Sequence, residues 1–470
     1  MQRIFLVVLY SIILILASAA TNAQVAEIVD LGLSSSGTRS EAVDVNDAGE
    51  IVGYATYASG RSVFYRDGDG QIEHDIRLYG EASPLGINNL GDVIGWSRTE
   101  DFAYHTFRWN DGVIIDLGTF GGRYSQPRGF NDVGQIVGDA YACTNDCPFA
   151  AIWEPGALGP SHLGGNIYSF AHDINNLGDA VGMDWVYISV NGYGRRTHTP
   201  VLWKRTDNGY ERIFLTPGLP GQAVGINDLG QIIGYYQDPE FSYVTFVWEN
   251  GVLTTLGEDG SGFLSSPKIN NAGQVIGTMG QTAWLWEAGE WTNLGGLGKS
   301  GLNTIPTAIN DFGQIVGSSY TDDYRSHAFL WENGEMIDLG TLEGDTGSLA
   351  RNLSNFGLIV GFSSSNAGGQ QAVLWKVPAS PRAAVPEIDR IVGMIRALVE
   401  NGRFDERIAD SVLVQMELVK KMLTDYRVTG ACQLLQAVAT RIEALVKSSQ
   451  LQIADGEGLL EAIAGVGTCQ

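Results

Sequence analysis

The chain has 470 residues, of which 53 are acidic and 29 are basic, so its formal net charge at pH 7 is −24. Nucleic-acid binding and docking on anionic lipid both depend on clustered Lys and Arg side chains, and this charge argues against both functions. The 61 glycines recur at fixed places in a repeat, which indicates an ordered chain rather than a low-complexity one.

Residues 1–23 are predicted to be a secretory signal peptide. Arg3 precedes an apolar stretch over residues 4–17, and the stretch Thr21-Asn22-Ala23 fits a small-x-small cleavage site. The alternative is an uncleaved membrane anchor, although the apolar stretch is shorter than the roughly 20 residues that a membrane span needs. We therefore expect a secreted, extracellular or periplasmic protein that has no stable membrane insertion after signal cleavage.

Residues 24–377 contain eight copies of one phrase, of which AINDFGQIVGSSY from Ala308 is typical. The glycine of its Asn-x-x-Gly turn recurs every 40–52 residues, at Gly49, Gly91, Gly134, Gly178, Gly230, Gly273, Gly313 and Gly357. A period of this length, filled with short β-type runs, is typical of a propeller blade and not of a helical solenoid.

Each repeat divides into four predicted strands joined by tight turns. In the seventh repeat the strands are TAI, QIVGSS, HAFLW and EMIDLG, and the turns are NDFG and ENG. Asn or Asp suits the corner of such a turn, and Gly takes the positive φ that it requires. The third strand ends in Trp in seven repeats and in Tyr65 in the first. We expect these rings to pack between neighbouring blades, where burying one Trp removes about 150–250 Å² from water.

The two ends of the repeat array predict a closed ring. EIVDLG at 27–32 reads as a fourth strand with no blade before it, and AVLWKV at 372–377 reads as a third strand with no partner after it. Pairing these two strands would complete an eighth blade and leave no exposed edge. The predicted fold is therefore an all-β, eight-bladed β-propeller closed by the N-terminal strand, followed by a small all-α helical bundle.

The phrase SHAFLWENGEMIDLGTLEG at 326–344 resembles the HAF repeat of bacterial extracellular proteins. The family takes its name from the His-Ala-Phe seen here at His327, Ala328 and Phe329, and the resemblance extends over about residues 27–377. It implies export and a propeller-like fold, and it carries no implication of enzyme activity. His recurs at this place only as His105, so these side chains do not form a ligand set.

Four cysteines in an exported chain predict two disulfide bonds. Cys143 and Cys147 lie in the insertion CTNDC and would close a small loop. Cys432 and Cys469 would connect the third and fourth helices of the C-terminal segment. A zinc site is disfavoured, because the two pairs lie in different segments and neither has a His spaced beside it.

A Pro/Ala-rich linker at 378–386 separates the repeats from a predicted helical domain at 387–470. Apolar residues there recur with a period of 3.6, which predicts one helix from 387 and three more at about 405–426, 430–448 and 455–464. The stretch IVGMIRALVENGRFDERIADSVLVQMELV is similar to the FIMAH module that is appended to secreted bacterial proteins. This resemblance implies an accessory role for the domain.

No catalytic constellation, cofactor site or metal site stands out in the sequence. GLGKSG at 296–301 lacks the first Gly of a phosphate-binding loop, because that position is Asn293. The six His residues are scattered without metal-ligand spacing. Paired acids such as Asp322 and Asp323 lie in variable loops, where solvated acids are more common than a general acid and base.

Ligand-binding candidates lie on the connections between strands two and three and between blades, which open on one face of a propeller. These connections vary in length, the longest being 183–200, and they are rich in aromatic residues. Aromatic side chains with polar neighbours suit glycan or protein ligands. The candidate residues are Trp96, Tyr124, Tyr141, Trp185, Tyr187, Tyr236, Tyr243, Tyr324 and Arg325.

The sequence therefore predicts an exported, non-enzymatic binding protein that uses this face to bind a glycan or an extracellular protein. Two alternatives stay open. One is a propeller-type polysaccharide hydrolase or lyase that uses acids such as Asp184 or Asp322, and the other is a purely structural surface protein. A deep acidic funnel at the channel mouth would favour the enzyme, and a flat aromatic surface would favour the binding protein.

Overall fold

A computed structural model of the chain describes residues 26–32, 39–58, 60–143, 147–190, 193–256, 263–377, 385–424, 428–447 and 451–464. Contacts between Cα atoms divide the chain into two compact units, one spanning Ala26–Lys376 and one that contains the helices. The predicted signal peptide at 1–23 lies outside the described residues. Within the described part of the chain, none of the helices has both the length and the apolar character needed to cross a bilayer.

The repeats form an eight-bladed β-propeller, and the pairing of its first strand with its last closes the ring. Strand β1 (Glu27–Asp30) runs antiparallel to β32 (Gln370–Lys376), with Ile28 opposite Trp375 and Val29 opposite Leu374. The eighth blade thus combines three strands from the end of the array with one from its beginning. The predicted blade number and the predicted closure are both confirmed.

Each blade is a four-stranded antiparallel sheet, and the first strands of successive blades contact one another around the ring. The first strands are β2 (Ser40–Val45), β6 (Ala82–Ile87), β10 (Ser125–Phe130), β14 (Phe170–Ile174), β18 (Gly221–Ile226), β22 (Ser265–Ile269), β26 (Ile305–Ile309) and β30 (Gly347–Leu353). The second strands are β3 (Ile51–Tyr57), β7 (Val93–Arg98), β11 (Ile136–Tyr141), β15 (Ala180–Val190), β19 (Ile232–Gln237), β23 (Val275–Met279), β27 (Ile315–Tyr320) and β31 (Leu358–Ser364).

The third strands are β4 (Gly60–Arg66), β8 (Tyr104–Asn110), β12 (Pro148–Trp153), β16 (Tyr193–Thr206), β20 (Tyr243–Glu249), β24 (Thr282–Glu287), β28 (Ser326–Glu332) and β32. The fourth strands are β5 (Ile72–Ile76), β9 (Val113–Asp116), β13 (Ser161–His162), β17 (Gly209–Phe214), β21 (Val252–Leu256), β25 (Glu290–Asn293), β29 (Glu335–Gly340) and, in the eighth blade, β1. Because neighbouring strands are antiparallel, the turns from strand one to two and from three to four share one face, called the hairpin face below. The other connections open on the opposite face, called the loop face.

The predicted packing of third-strand rings between blades is confirmed. Trp109 of the second blade is buried in one cluster with Val52 of the first blade, and Trp203 of the fourth blade is buried with Val137 of the third. Tyr65, the residue that replaces Trp in the first repeat, packs on Trp109 with ring centroids 4.7 Å apart. Each of these rings therefore covers the sheet of a neighbouring blade and removes apolar area from water.

The helical unit contains α1 (Val385–Glu400), α2 (Glu406–Thr424), α3 (Val428–Lys447) and α4 (Ile453–Ala464). Ile388, Ile391 and Ile395 recur at helical spacing in α1, and all three are fully buried in one core with apolar side chains of the other three helices. The four predicted helices are present, and the first begins at Val385, inside the segment predicted as a linker.

The disulfide bond predicted between Cys143 and Cys147 is confirmed, with the two Cα atoms 5.5 Å apart. Cys432 in α3 is also disulfide-bonded. Cys469, which is its predicted partner, lies outside the described residues.

Candidate functional site

The Asn of each Asn-x-x-Gly turn connects its own hairpin to the next blade. In the third blade, Asn131 Oδ1 accepts hydrogen bonds from the backbone N–H groups of Val133 and Gln135, at 3.3 and 2.9 Å. Asn131 Nδ2 donates to the backbone carbonyl of Asn175 in the fourth blade, at 2.9 Å. The same bond to the following blade is made by Asn46, Asn88, Asn175, Asn227, Asn270 and Asn310. The repeated motif thus joins the blades in addition to forming the turn.

The motif position is Asn in seven turns and Ser354 in the eighth, and the residue after it alternates strictly between Asp and Asn around the propeller. We call this set the Asn/Asp ring, and it consists of Asp47, Asn89, Asp132, Asn176, Asp228, Asn271, Asp311 and Asn355. The backbone N–H of each member donates to the side-chain Oδ1 of the next, at 2.7–3.1 Å. Asn355 donates in the same way to Asp47 at 2.9 Å, so the circle of hydrogen bonds has no gap.

The alternation places an amide donor beside every carboxylate of the ring. Asn89 Nδ2 lies 3.3 Å from Asp132 Oδ2, and Asn176 Nδ2 lies 2.9 Å from Asp228 Oδ2. Two consecutive Asp residues would instead bring two carboxylates to a similar separation. Unit charges 4 Å apart repel by about 1 kcal/mol even in bulk water, so this electrostatic cost disfavours Asp at two consecutive positions of the ring.

The Asn/Asp ring surrounds the mouth of the central channel on the hairpin face. Two adjoining cavities of about 240 and 260 Å³ lie there, lined by ring members and by the apolar residues that precede the motif Asn, such as Phe130 and Ile309. The ring carboxylates are already held by amide and backbone donors of the neighbouring turn. Among the described residues, no group of three or more His, Cys, Asp or Glu side chains is arranged to hold a metal ion. This mouth is a hydrogen-bonded rim that joins the blades.

Two buried acids connect adjacent first strands inside the ring. Asp44 Oδ2 accepts the Ile87 N–H of the second blade at 2.9 Å, and Asp173 Oδ2 accepts the Ile226 N–H of the fifth blade at 3.0 Å. Loss of hydration raises the pKa of Asp44 to about 6, and the same cause raises the pKa of Asp173 to about 6. Both groups are held by structural bonds and are not free for ligand binding.

The two His residues of the His-Ala-Phe position also have structural partners. Nδ1 of His105 and Nδ1 of His327 lie 2.9 Å from carboxylate oxygens of Asp116 and Asp338, in the fourth strands of their own blades. The hydrogen bond to Asp338 raises the pKa of His327. The side chains therefore tie strand three to strand four in their own blades.

On the loop face, four aromatic side chains form a continuous aromatic strip across the junction of the second and third blades. Trp96 meets Tyr104 edge to face with ring centroids 5.4 Å apart, Tyr104 stacks with Tyr124 at 6.2 Å, and Tyr124 meets Tyr141 at 5.6 Å. Tyr124 is 41% exposed. The strip brings together three of the predicted candidates through Tyr104, which the sequence analysis missed.

Backbone hydrogen bonds fix the strip to the two blades. The Tyr141 N–H donates to the Tyr124 carbonyl at 2.9 Å, and the Gly122 N–H donates to the Tyr141 carbonyl at 2.8 Å. A Cβ atom at Gly122 would lie 2.5 Å from that carbonyl oxygen, so this close approach requires glycine. The Tyr104 hydroxyl donates to Glu81 at 3.1 Å, and this hydrogen bond raises the pKa of Tyr104.

Trp185 and Tyr187 lie on a protruding hairpin of the fourth blade. The sequence analysis treats 183–200 as a loop, but β15 and β16 continue as a paired ribbon through this segment, with Trp185 opposite His198. Tyr187 is 74% exposed, and Trp185 packs against Tyr168 with centroids 5.5 Å apart. The β-branched and aromatic residues of WVYISV explain why the strands extend here.

Tyr324 and Arg325 occupy the turn between β27 and β28 in the seventh blade. Tyr324 is 85% exposed and has a positive φ of 62°, and Arg325 forms an ion pair with Asp323 at 2.9 Å. Tyr324 has no ring contact with another candidate among the described residues. These two residues are therefore isolated from the aromatic strip.

The candidates Tyr236 and Tyr243 are kept apart by the pleat of β19. Tyr236 packs against Phe246 within the fifth blade, with centroids 6.1 Å apart. Its neighbour Tyr235 points to the opposite side and contacts Tyr243 at 5.8 Å, because successive side chains of a strand alternate. Phe263 completes this second cluster, at 5.4 Å from Tyr243. The sequence analysis missed Tyr235 and Phe263.

The two acids considered for polysaccharide cleavage have different surroundings. Asp184 is fully buried, accepts the Asn166 N–H at 2.9 Å and pairs with Arg212 at 2.6 Å. The side chain of Asp322 is 59% exposed and accepts the Lys299 N–H at 2.8 Å. Asp184 is thus bound to protein groups, and Asp322 is a solvated acid that caps a neighbouring loop.

No family model matches the chain, and no curated protein matches it in sequence. One similar solved structure is the β-propeller domain of the Trilobed protease from Pyrococcus furiosus, which is 8% identical over 75% of this chain and 96% of that chain, with a TM-score of 0.42. A puromycin-hydrolyzing peptidase from Mycobacterium tuberculosis is 12% identical over 73% of this chain and 61% of that chain, with a TM-score of 0.43. The gluconolactonase XC5397 from Xanthomonas campestris is 11% identical over 77% of this chain and 93% of that chain, with a TM-score of 0.32. The chain therefore spans less than two thirds of the length of the peptidase.

Proposed function

We propose that the protein is an exported, non-enzymatic binding protein whose aromatic strip holds a neutral glycan. The observation that carries this proposal is the unbroken contact of Trp96, Tyr104, Tyr124 and Tyr141 across two blades. Aromatic rings offer an apolar face on which the C–H faces of sugar rings pack, and Tyr hydroxyls and the Trp N–H add hydrogen bonds at the rim. A glycan is therefore a suitable ligand for a row of such rings.

The charge of the chain favours a neutral glycan over an acidic one. The net charge is −24, and Glu81 lies at the strip itself, bonded to the Tyr104 hydroxyl. An anionic polysaccharide would approach this protein against a repulsive field. Stacking on neutral sugars has no such cost, and we expect it to depend little on salt concentration.

The rigid support of the strip favours binding without rearrangement. Tyr104, Tyr124 and Tyr141 lie within or beside strands and are joined by backbone hydrogen bonds. Side chains that are already ordered lose little conformational entropy when a ligand binds. The strip is thus organised before the ligand arrives.

The test is a binding panel with the full-length secreted protein and the variant Tyr124→Ala. Insoluble cellulose and chitin, soluble xylan, mannan and β-glucan, and the acidic polysaccharide alginate serve as probes, with product analysis after long incubation. We expect one neutral polysaccharide to bind and Tyr124→Ala to weaken it at least tenfold, which corresponds to about 1.4 kcal/mol. Phe356→Ala is the matched control, because Phe356 is a 52% exposed aromatic residue in a turn of the hairpin face.

Three results would contradict this proposal. One is binding by a folded Tyr124→Ala variant that equals binding by the unmodified protein. Another is selective binding of alginate. The last is release of shortened sugar products, which would support the hydrolase or lyase alternative instead.

A further inference from the structure

We infer that the propeller has a second glycan-binding subsite, an aromatic triad of Tyr235, Tyr243 and Phe263 at the junction of the fifth and sixth blades. The inference rests on the proposed function and deepens it, because two separate subsites select a polymeric ligand that reaches both. Its basis is that the triad repeats, position for position, three of the four rings of the aromatic strip.

The equivalence follows from landmarks in the repeat. Trp96 and Tyr235 each follow the glycine in the middle of a second strand, Gly95 and Gly234. Tyr104 and Tyr243 each begin a third strand, five residues before its Trp. Tyr124 and Phe263 each lie seven residues before the motif Asn of the following blade.

The geometry of the two clusters is also similar. In the triad the ring centroids are 5.8 Å apart for Tyr235 and Tyr243, 5.4 Å for Tyr243 and Phe263, and 5.5 Å for Tyr235 and Phe263. Tyr243 is 48% exposed, and the exposed tyrosine of the strip is Tyr124 at 41%, which is the positional equivalent of Phe263 and not of Tyr243. Each cluster therefore presents a partly exposed tyrosine that is supported by two further rings.

Blade packing does not require aromatic residues at these three positions. The other six junctions have at most one Phe, Tyr or Trp among them. In the order of blade junctions one–two, three–four, four–five, six–seven, seven–eight and eight–one, the corresponding residues are Tyr54, Gly60 and Glu81; Asp139, Pro148 and Tyr168; Met183, His198 and Pro220; Thr278, Gln281 and Asn303; Ser318, Ser326 and Gly347; Phe362, Gln370 and Arg39. Those blades form the same four-stranded sheets without the triad. The two clusters are thus additions to the scaffold at two of its eight junctions.

Both subsites lie on the loop face of one closed ring, three blades apart, so their separation is fixed. Once one segment of a long chain is bound at the strip, a second segment binds at the triad as an intramolecular step. Effective concentration in such a case raises overall affinity by about 10²–10⁴ without any new contact. A short oligosaccharide cannot gain this advantage and occupies each subsite separately.

The test uses isothermal titration calorimetry with the neutral polysaccharide that binds in the panel and with its tetrasaccharide. The proteins are the full chain, Tyr124→Ala, Tyr243→Ala, the double variant and the control Phe356→Ala. Phe263→Ala is a second triad variant for the case that Tyr243→Ala does not fold, which thermal unfolding reports. We expect two tetrasaccharides per chain for the unmodified protein and the control, one for each single variant and none for the double variant.

The polymer gives an independent readout. We expect it to bind the unmodified protein at least tenfold more tightly than the tetrasaccharide does, and we expect Tyr243→Ala to abolish most of that difference. One tetrasaccharide per unmodified chain, or an unchanged polymer affinity in both triad variants, overturns the second subsite and leaves the aromatic strip in place. If neither polymer nor tetrasaccharide binds the unmodified protein, the proposed function itself is wrong.

Discussion

Replacing Asn89 with Asp tests whether the alternation of the Asn/Asp ring stabilises the propeller. The substitution keeps an Oδ1 acceptor for the Asp47 N–H, which now lies 3.0 Å from Asn89 Oδ1. It removes the amide that lies 3.3 Å from Asp132 Oδ2 and places a second carboxylate there. The turn is therefore preserved, and the new carboxylate lies between the two acidic ring members Asp47 and Asp132.

The magnitude follows from the two effects that act at this contact. Two unit charges about 4 Å apart repel by about 1 kcal/mol in bulk water and by about 4 kcal/mol at the effective dielectric of a protein surface. Asn89 is exposed and Asp132 is half-buried, so we expect the lower part of this range. Together with the lost amide hydrogen bond, Asn89→Asp should lower the free energy of unfolding by about 1–3 kcal/mol at neutral pH.

Chemical denaturation followed by circular dichroism measures this cost in a double-mutant cycle of Asn89→Asp and Asp132→Asn. The double variant removes the carboxylate pair between positions 89 and 132 but leaves the new carboxylate beside Asp47, so it should recover part of the loss that the single Asn89→Asp variant shows. Asn250→Asp is the charge-matched control, because Asn250 lies in a strand three-to-four turn of the hairpin face and has the same change of charge without a ring neighbour.

The pH dependence provides a further check on the electrostatic cause. Two neighbouring carboxylates raise the pKa of one of them in the folded state, so the cost of Asn89→Asp should shrink as the pH falls and one group takes up a proton. If Asn89→Asp is as stable as the unmodified protein, or if the double variant is no more stable than Asn89→Asp, the electrostatic explanation of the alternation is wrong.

Two further predictions concern buried polar groups. Trp153 Nε1 donates to the Leu117 carbonyl at 2.8 Å, whereas Trp203 Nε1 is buried without a hydrogen-bond partner among the described residues. Trp153→Phe should therefore reduce the free energy of unfolding by about 1 kcal/mol more than Trp203→Phe, and equal losses would contradict this. The pKa of Asp44 is raised to about 6 from its usual 3.8, so its contribution to stability is fully present below the usual value and is lost as the pH rises through 6. The stability of Asp44→Asn relative to the unmodified protein should therefore fall by about 1–3 kcal/mol between pH 7.5 and 4.5, and a difference that does not change with pH would refute the assignment.

The fold was predictable because each repeat contains its own evidence. Alternating runs and turn residues recur eight times, the third strand ends in Trp in seven repeats, and the unpaired strands at 27–32 and 372–377 indicate where the ring closes. The alternation of Asp and Asn is equally visible in the sequence. Its structural role cannot be predicted from the sequence, because the partner of Asn89 is Asp132, which lies 43 residues away in the next blade. Contacts between repeats can be assigned only when the order of the blades in space is known.

The sequence indicated several residues of the candidate site, but it did not indicate which of them lie together. Trp96, Tyr124 and Tyr141 are identifiable as loop-face aromatics, but they become one strip only through Tyr104, which is the first residue of a strand rather than part of a loop. Tyr236 lies outside the second cluster, since the pleat directs Tyr235 to the side where Tyr243 lies. Aligning the repeats by position would have found Tyr235, because it occupies the place that Trp96 has in the second repeat.

The two faces of the propeller differ because the Asn/Asp ring, which is closed through all eight blades, lies on the hairpin face. A turn between strands one and two must receive hydrogen bonds from the previous blade and supply them to the next, and this double requirement leaves little freedom at the Asn and Gly positions of the phrase. The eighth turn departs from this phrase and still forms the same hairpin. Ser354 replaces the Asn in the eighth turn, and its Oγ still accepts the Phe356 and Leu358 N–H groups at 3.2 and 3.3 Å. Ser lacks the amide that would reach the Asn46 carbonyl of the first blade.

The eighth junction has other bonds in place of that amide. Arg351 pairs with Glu41, Asn352 Nδ2 donates to Asp44 at 2.5 Å, and β1 supplies a whole strand to the last blade. The Asn is thus replaced only where strand exchange already joins the two blades. The loop-face connections take no part in the Asn/Asp ring, so their lengths and side chains can differ from blade to blade. A ligand site can be added there, at two junctions of eight, without weakening the ring that supports it.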